Sequence, residues 1–291
     1  MVSVKRSATL VAAAWTLACM GIGCGGGSTT ASDKAAAPAA AASAPAAASA
    51  SEAPAVAGQL GALAPANLKA ARPKAPFDMT GTWFVDLSKG FDTWRSGPPY
   101  PKFKGEAAKA YAESEQAKKE GKSYRDWIGQ CYPSGMPVIM TRVWPIATIQ
   151  LPTAIYMVSG FENSLRIIYL DGRKHTPADE VVRTYDGESI GHWEGDTLVV
   201  DTRSMISDKH VIDDGLPVSD DFRIIERFRL INNGQTLEDQ WTLIDPNNWE
   251  GEWTSTHWWK RQDDTDITEV ECLPNLNEKL PATSSKGLIL K

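Results

Sequence analysis

The chain has little of what metal, nucleotide or acyl-transfer chemistry requires. Its 291 residues hold four histidines, His175, His192, His210 and His257, and four cysteines. No Cys-x-x-Cys, His-x-His or His-Glu-x-x-His spacing occurs, which removes the usual zinc patterns. The acidic residues at 208–221 lack the Asp-x-Asp-x-Asp-Gly order of a calcium loop. No metal is therefore expected. A Gly-x-Ser-x-Gly elbow is missing, as are phosphate-binding loops and dinucleotide fingerprints, so no cofactor is expected either. Positive charge is also short. A formal net charge of −6 argues against a nucleic-acid partner and disfavours an anionic lipid surface. No apolar run reaches the roughly 20 residues needed to span a bilayer.

Present instead is an export signature. Lys5 and Arg6 precede a short apolar core at Leu10–Leu17, and small residues lead to Gly23-Cys24. Residues 1–24 are expected to be a lipoprotein signal peptide with Cys24 as the lipidated residue and Cys19 as the competing position. Two acyl chains on that cysteine would anchor the protein to a membrane without spanning it. A soluble exported protein with an incidental Cys24 is the alternative. Residues 25–75 are almost entirely Ala, Pro, Ser and Gly, interrupted by Pro38, Pro45, Pro54, Pro65 and Pro73. Such a segment buries too little apolar surface to offset its chain entropy and is expected to be a disordered tether. Residues 76–280 suit one domain, and 281–291 form a loose tail. Within the domain only Cys131 and Cys272 remain. In an exported chain they are expected to form a disulfide, stabilising by roughly 5 kcal/mol in the chain-entropy model.

The domain reads as mainly β. Gly81-Thr82-Trp83 opens a first strand and is similar to the Gly-x-Trp start of lipocalin-type barrels. Lys104–Lys122 is the one convincing helix, rich in Ala, Glu, Lys and Gln and stopped by Gly121. Runs at 138–151, 154–159, 165–170, 189–194, 196–202, 222–231, 235–245, 252–261 and 266–272 are predicted strands, with turn signals between them. Pro145 demotes part of the first of these runs. Asp171-Gly172, Asp186-Gly187, Glu194-Gly195-Asp196 and Asn232-Asn233-Gly234 are the tight-turn candidates. An antiparallel up-and-down, calycin-like barrel with one surface helix is the simplest closure; a two-sheet sandwich is the alternative.

Two-residue alternation separates the faces of each strand. Glu226 falls among Phe222, Ile224, Phe228 and Leu230, while Arg223, Arg227 and Arg229 face the other way. A carboxylate on an apolar face is costly unless paired, and Arg166, on the face of Ile168 and Leu170, is the expected bidentate partner. Asp239 shares a face with Leu237, Trp241 and Leu243, and His257 shares one with Trp253, Ser255 and Trp259. Glu226, Asp239 and His257 are thus candidate acid–base groups. Arg166, Tyr169, His192, Trp193, Trp241, Trp253 and Trp259 are candidate ligand contacts, with His192 and Trp193 at the mouth. A filled barrel whose Arg–Glu pair fixes strand order is the competing view. His175 and His210, in loops, are expected to be solvated.

Arg166-Ile167-Ile168-Tyr169-Leu170-Asp171-Gly172-Arg173 with His175, Ser189-Ile190-Gly191, Trp193-Glu194-Gly195-Asp196-Thr197-Leu198-Val199-Val200-Asp201-Thr202 and Glu226-Arg227-Phe228-Arg229 form a pattern. With Asp245-Pro246, the Cys131-x-Pro-x-Gly-x-Pro segment and Cys272, it resembles a widespread family of exported bacterial proteins of unassigned function. The resemblance runs from about Gly81 to Cys272 and implies a shared fold and export. It implies no reaction. Members often carry His where this chain has Glu188 and Arg223, so any chemistry resting on those histidines would be lost or altered here.

Three functions fit these observations. The first is a tethered barrel binding a small hydrophobic or aromatic ligand. The second is a cofactor-independent lyase, isomerase or hydratase using Glu226 or Asp239 in a desolvated pocket. The third is a structural or assembly lipoprotein presenting its helix and the acidic 203–221 segment.

Overall fold

The computed structural model describes residues 58–90, 95–122, 127–213 and 215–270. The expected signal peptide with Cys19 and Cys24, most of the expected tether, the expected C-terminal tail and Cys272 lie outside the described residues. Residues 58–75, which composition places in the tether, are described. They include a short helix α1 (Pro65–Lys69), and Asn67 donates from Nδ2 to Asp171 Oδ2 at 3.0 Å.

The strands in chain order are β1 (Gly81–Val85), β2 (Lys102–Phe103), β3 (Ile146–Gln150), β4 (Ala154–Ser159) and β5 (Leu165–Tyr169). They continue as β6 (Glu188–Glu194), β7 (Thr197–Arg203), β8 (Val211–Ile212) and β9 (Leu216–Pro217). The last four are β10 (Arg223–Ile231), β11 (Thr236–Ile244), β12 (Trp249–Glu250) and β13 (Trp253–Gln262). Nine of them close a barrel in the order β1-β13-β11-β10-β7-β6-β5-β4-β3. The expected β-barrel is therefore present, and the sandwich is not.

One detail departs from a pure up-and-down sheet. A closed ring of nine strands cannot alternate direction throughout, so at least one neighbouring pair must run parallel. That pair is β5 and β6, with Ile168 opposite Ser189 and Tyr169 opposite Ile190. Parallel neighbours need a long return connection. Residues 170–187 supply it, so Asp171-Gly172 and Asp186-Gly187 shape a crossover rather than two hairpins. Gly195-Asp196, by contrast, does make the predicted two-residue turn between Glu194 and Thr197, with Gly195 at φ 61°. The β10–β11 hairpin also forms as predicted, with Asn232, Asn233 and Gly234 all at positive φ.

Other runs differ from expectation. Only the end of 138–151 is a strand, because Val138–Met140 forms a 3-10 turn ahead of Pro145. Residues 266–270 are not a strand, since β1 already pairs with both β13 and β3 and leaves no edge to join. The acidic segment after β7 carries the β8–β9 ribbon.

The barrel has two different ends. At one, helix α2 (Gly105–Lys119) lies with Ala107, Ala110, Ser114 and Ala117 buried. Phe103, Trp249 and Trp253 stack edge to face there, with centroids 5.6–6.5 Å apart. At the other, Trp83 donates its indole N–H to the Met79 carbonyl at 2.9 Å, and the Arg261 guanidinium lies 4.3 Å above its ring. This second end, the mouth, also holds the β3–β4, β6–β7 and β10–β11 turns and the chain preceding β1.

Candidate functional site

The barrel interior carries a polar layer between apolar ones. Arg166, on β5, donates from Nη1 to Glu226 Oε1 at 2.8 Å and from Nη2 to Glu226 Oε2. Its remaining donors go to Ser189 Oγ at 3.2 Å and Thr202 Oγ1 at 3.0 Å, and those hydroxyls bond each other at 2.9 Å. Arg166 and Glu226 are 1% and 0% exposed, so the pair predicted from strand alternation is formed and dry. A buried bidentate pair with every guanidinium nitrogen engaged is the arrangement that repays desolvation.

Asp239 stands two residues along β11 from Trp241, the cross-strand partner of Glu226, and directly opposite His257. Neither of its carboxylate oxygens meets a donor in hydrogen-bonding geometry, although the Arg227 amide and the Glu226 carboxyl lie close by. Burial pushes its pKa well above the ordinary carboxylate value, the Glu226 charge adds to that, and Arg166 only partly offsets it. Burial in this layer therefore favours the protonated form of Asp239. His257 accepts or donates at Nε2 to Ser255 Oγ at 2.8 Å, with the Trp241 ring centroid 3.8 Å away, and Ser255 Oγ accepts the Trp241 indole N–H.

A cavity of about 1150 Å³ lies at the mouth and does not include Glu226, Asp239 or His257 in its walls. One wall is the segment Leu68–Asp78; the other is formed by Gln150–Pro152, Leu170–Gly172 and Gly191–Gly195. Phe77 and Trp193 meet edge to face there, 4.9 Å apart and 88° inclined. Pro73, Pro76, Leu151, Pro152 and Leu170 make most of the remaining lining apolar. The segment before β1 is fixed by Gln150, whose Nε2 donates to Phe77 O at 2.8 Å and whose Oε1 accepts from Met79 N at 3.1 Å.

A second polar cluster sits on the outer wall. His175, in the crossover, places Nδ1 2.8 Å from Glu188 Oε2 and Nε2 3.4 Å from Asp201 Oδ2. Burial alone would lower its pKa, but the two carboxylates outweigh that and raise it to about 9. Asp201 also accepts from Arg223 Nε at 2.7 Å and Arg203 Nε at 2.9 Å. Opposing the effect of its own burial, these bonds hold Asp201 well below the usual carboxylate range. Glu188 and Arg223, the two positions marked by the sequence pattern, are thus neighbours of one ionic network, which clips the crossover to β6 and β7. His175 is not solvated as expected. Nor is His210, which is 1% exposed and lowered by burial to about 4, with Nδ1 2.8 Å from the Ile206 carbonyl.

The structure brings Arg166, Glu226, Asp239, His257, Trp241 and Trp259 into one interior region. Trp253 is separated from them, in the aromatic cluster under α2. Tyr169 faces outward and carries the Arg173 guanidinium 3.8 Å above its ring. His192 is exposed and bonded to Glu194 Oε1 at 3.1 Å, yet with Trp193 it lines the mouth cavity. Phe77 and the 68–78 wall carried no signal in the sequence beyond a single aromatic among prolines. Among the described residues, no three His, Cys, Asp or Glu side chains converge in a way that could hold a metal ion.

Fold and site together define a closed nine-stranded β-barrel with a charge-paired interior and an apolar mouth. The chain matches no family model, and no curated protein or solved structure is detectably similar to it.

Proposed function

We propose that this protein is a membrane-tethered, extracytoplasmic barrel that binds a small hydrophobic or aromatic molecule at its mouth. The observation that carries this reading is the cavity of about 1150 Å³ between the Leu68–Asp78 segment and the barrel end, walled by Phe77 and Trp193. Ligand pockets are concave and mostly apolar with a few polar groups, and this lining has that composition. Trp241, Trp259 and the Arg166–Glu226 pair are buried beneath it, and this reading seats the ligand at the mouth. The tether and its lipid anchor at Cys24 rest on the charged N-region, the short apolar core and the small residues before that cysteine. A Cys131–Cys272 disulfide fits the same exported setting. In its support, Asn163 Nδ2 donates to Val270 O at 2.8 Å, and the adjacent Glu162 accepts from Ser134 N at 2.9 Å, near Cys131.

A panel of apolar and aromatic compounds titrated into the full chain, followed by tryptophan fluorescence, tests this function. A saturable change that disappears in Trp193→Phe is expected. No response to any compound would overturn it.

The enzymatic reading rests on one observation, the upward-shifted Asp239 beside Glu226. An acid of that kind suits proton transfer in a lyase or isomerase. Turnover unaffected by Asp239→Asn and Glu226→Gln would remove both residues from it. An envelope-assembly role would use the charged outer face of α2 and the acidic 203–221 segment. A chain that captures no apolar ligand but pulls down envelope proteins through α2 would favour it.

A further inference from the structure

We infer that the mouth groove is selective for an anionic amphiphile, seating its apolar part against Phe77 and Trp193 and its carboxylate or sulfonate against Lys74 and Arg72. This rests on the binding function proposed above and names its ligand class.

The argument is one of leftover charge. The groove wall contains the carboxylates Asp171 and Asp78, the amide of Gln150, the imidazole of His192 and the cations Arg72 and Lys74. Of the two carboxylates, Asp171 is paired with a cation within the protein, whereas Asp78 meets only a backbone amide. Asp171 takes Arg173 Nη2 at 2.6 Å and Asn67 Nδ2 at 3.0 Å. Burial would raise its pKa, but those bonds prevail and hold it at about 2, so it is an ionised carboxylate already balanced by Arg173. Asp78 Oδ1 accepts from Thr80 N at 2.8 Å, and both ends of the Gln150 amide bind the backbone. His192 Nε2 faces Glu194.

The cations differ. Arg72 donates to Asn67 O at 2.6 Å, to Ala70 O at 3.1 Å and to the Asn67 side-chain oxygen, all neutral acceptors. Among the described residues neither Arg72 nor Lys74 forms a salt bridge with a carboxylate of this chain. Arg72 and Lys74 together outnumber Asp78 by one charge, so the wall keeps a single positive charge in excess beside an apolar floor. A ligand that matches both has a hydrocarbon or aromatic body and a single negative end.

Two sources offer that chemistry, a free amphiphile and the anionic headgroups of a bilayer. The groove is enclosed by two walls rather than being a flat face, and the chain's net charge of −6 repels an anionic surface. Those facts favour the free amphiphile.

The test measures calorimetric affinities of the full chain for octanoate and for 1-octanol, and its sedimentation with vesicles containing anionic phospholipid. The Lys74→Glu variant is run beside the wild type, with circular dichroism confirming that it folds. An exposed charge contact is worth a few-fold in affinity, so octanoate should bind about two- to fivefold tighter than octanol. Lys74→Glu should erase or reverse that preference. Binding of both probes with equal affinity, insensitive to Lys74→Glu, overturns the selectivity and leaves the ligand-binding function standing. Binding of neither probe overturns the inference, and the ligand-binding function falls with it only if the panel of apolar and aromatic compounds also gives no response. Sedimentation with anionic vesicles without octanoate binding overturns the inference in favour of a bilayer surface.

Discussion

Replacing Arg166 with methionine isolates what the interior ion pair contributes. Methionine keeps the length and apolar stem of the side chain, so packing changes little. The guanidinium, however, leaves behind Glu226 at 0% exposure, with Asp239 alongside and the Ser189 and Thr202 hydroxyls without their shared donor. Removing one partner of a buried pair costs about 3–5 kcal/mol, because the other charge stays buried and unpaired. In a domain of roughly 200 residues that corresponds to a fall in Tm of about 6–20 °C. Urea unfolding at pH 7.5 measures the loss directly. The deficit should shrink as pH falls toward 5, since an unpaired buried carboxylate binds a proton more tightly folded than unfolded, and that stability is present at low pH and lost as pH rises. The double variant Arg166→Met, Glu226→Gln should recover much of the loss, for both charges are then gone. A single variant within about 1 kcal/mol of wild type, or a deficit indifferent to pH, would refute the pair as a structural determinant.

Asp239→Asn should cost less stability at pH 8 than at pH 4, because the buried carboxyl favours its protonated form and ionisation weakens the wild type. The wild type, whose folded pKa is raised, loses stability as pH climbs above about 4 and the variant does not; a protonated-carboxyl infrared band that persists above the ordinary carboxylate range and is absent from the variant would check the assignment. His175 has a folded pKa of about 9 against an ordinary 6.5, so its contribution is complete below pH 6.5 and vanishes as pH rises through 9. Thermal melts of His175→Gln should therefore lack the wild-type decline across that window. Gly191→Ala should cost about 1–3 kcal/mol by overpacking, because a Cβ there would sit 2.8 Å from Leu170 Cδ2 and 3.0 Å from Ile168 Cγ2; chemical denaturation measures it.

Much of the barrel was legible because two-residue periodicity and turn chemistry agree along most of the chain. Glu226 and Arg166 were placed inside from their apolar neighbours alone, since a strand has only two faces and the arginines at 223, 227 and 229 occupied the other. The parallel β5–β6 pair was not legible. It follows from closing an odd number of strands, a global condition that no local window contains. The Asp-Gly pairs at 171 and 186 look identical to hairpin turns for the same reason: positive φ serves a crossover as well as a hairpin. Residues 266–270 carry strand composition yet find no partner, because β1 had already joined β13 to β3.

The site was less legible than the fold, for a physical reason that also limits where a ligand can go. Alternation tells which side chains point inward, but not whether the space between them is filled. Here five tryptophans of the described chain, Trp83, Trp241, Trp249, Trp253 and Trp259, are each about 1% exposed or less. Trp241 and Trp259 share the interior layer with a guanidinium clamped to its carboxylate, while Trp249 and Trp253 lie at the α2 end and Trp83 at the mouth end. Apolar ligands then gain most where aromatic surface is still half open, which is the Phe77–Trp193 corner. That corner exists only because the chain before β1 folds back over the mouth through Asn67, Asp171 and Gln150. Weakening that clasp should therefore loosen ligand binding without disturbing the ion pair. Gln150→Ala, which removes both backbone contacts to Phe77 and Met79, ought to raise Kd for octanoate while leaving the unfolding free energy of the barrel within about 1–2 kcal/mol of wild type; an unchanged Kd would mean that the segment is no part of the site.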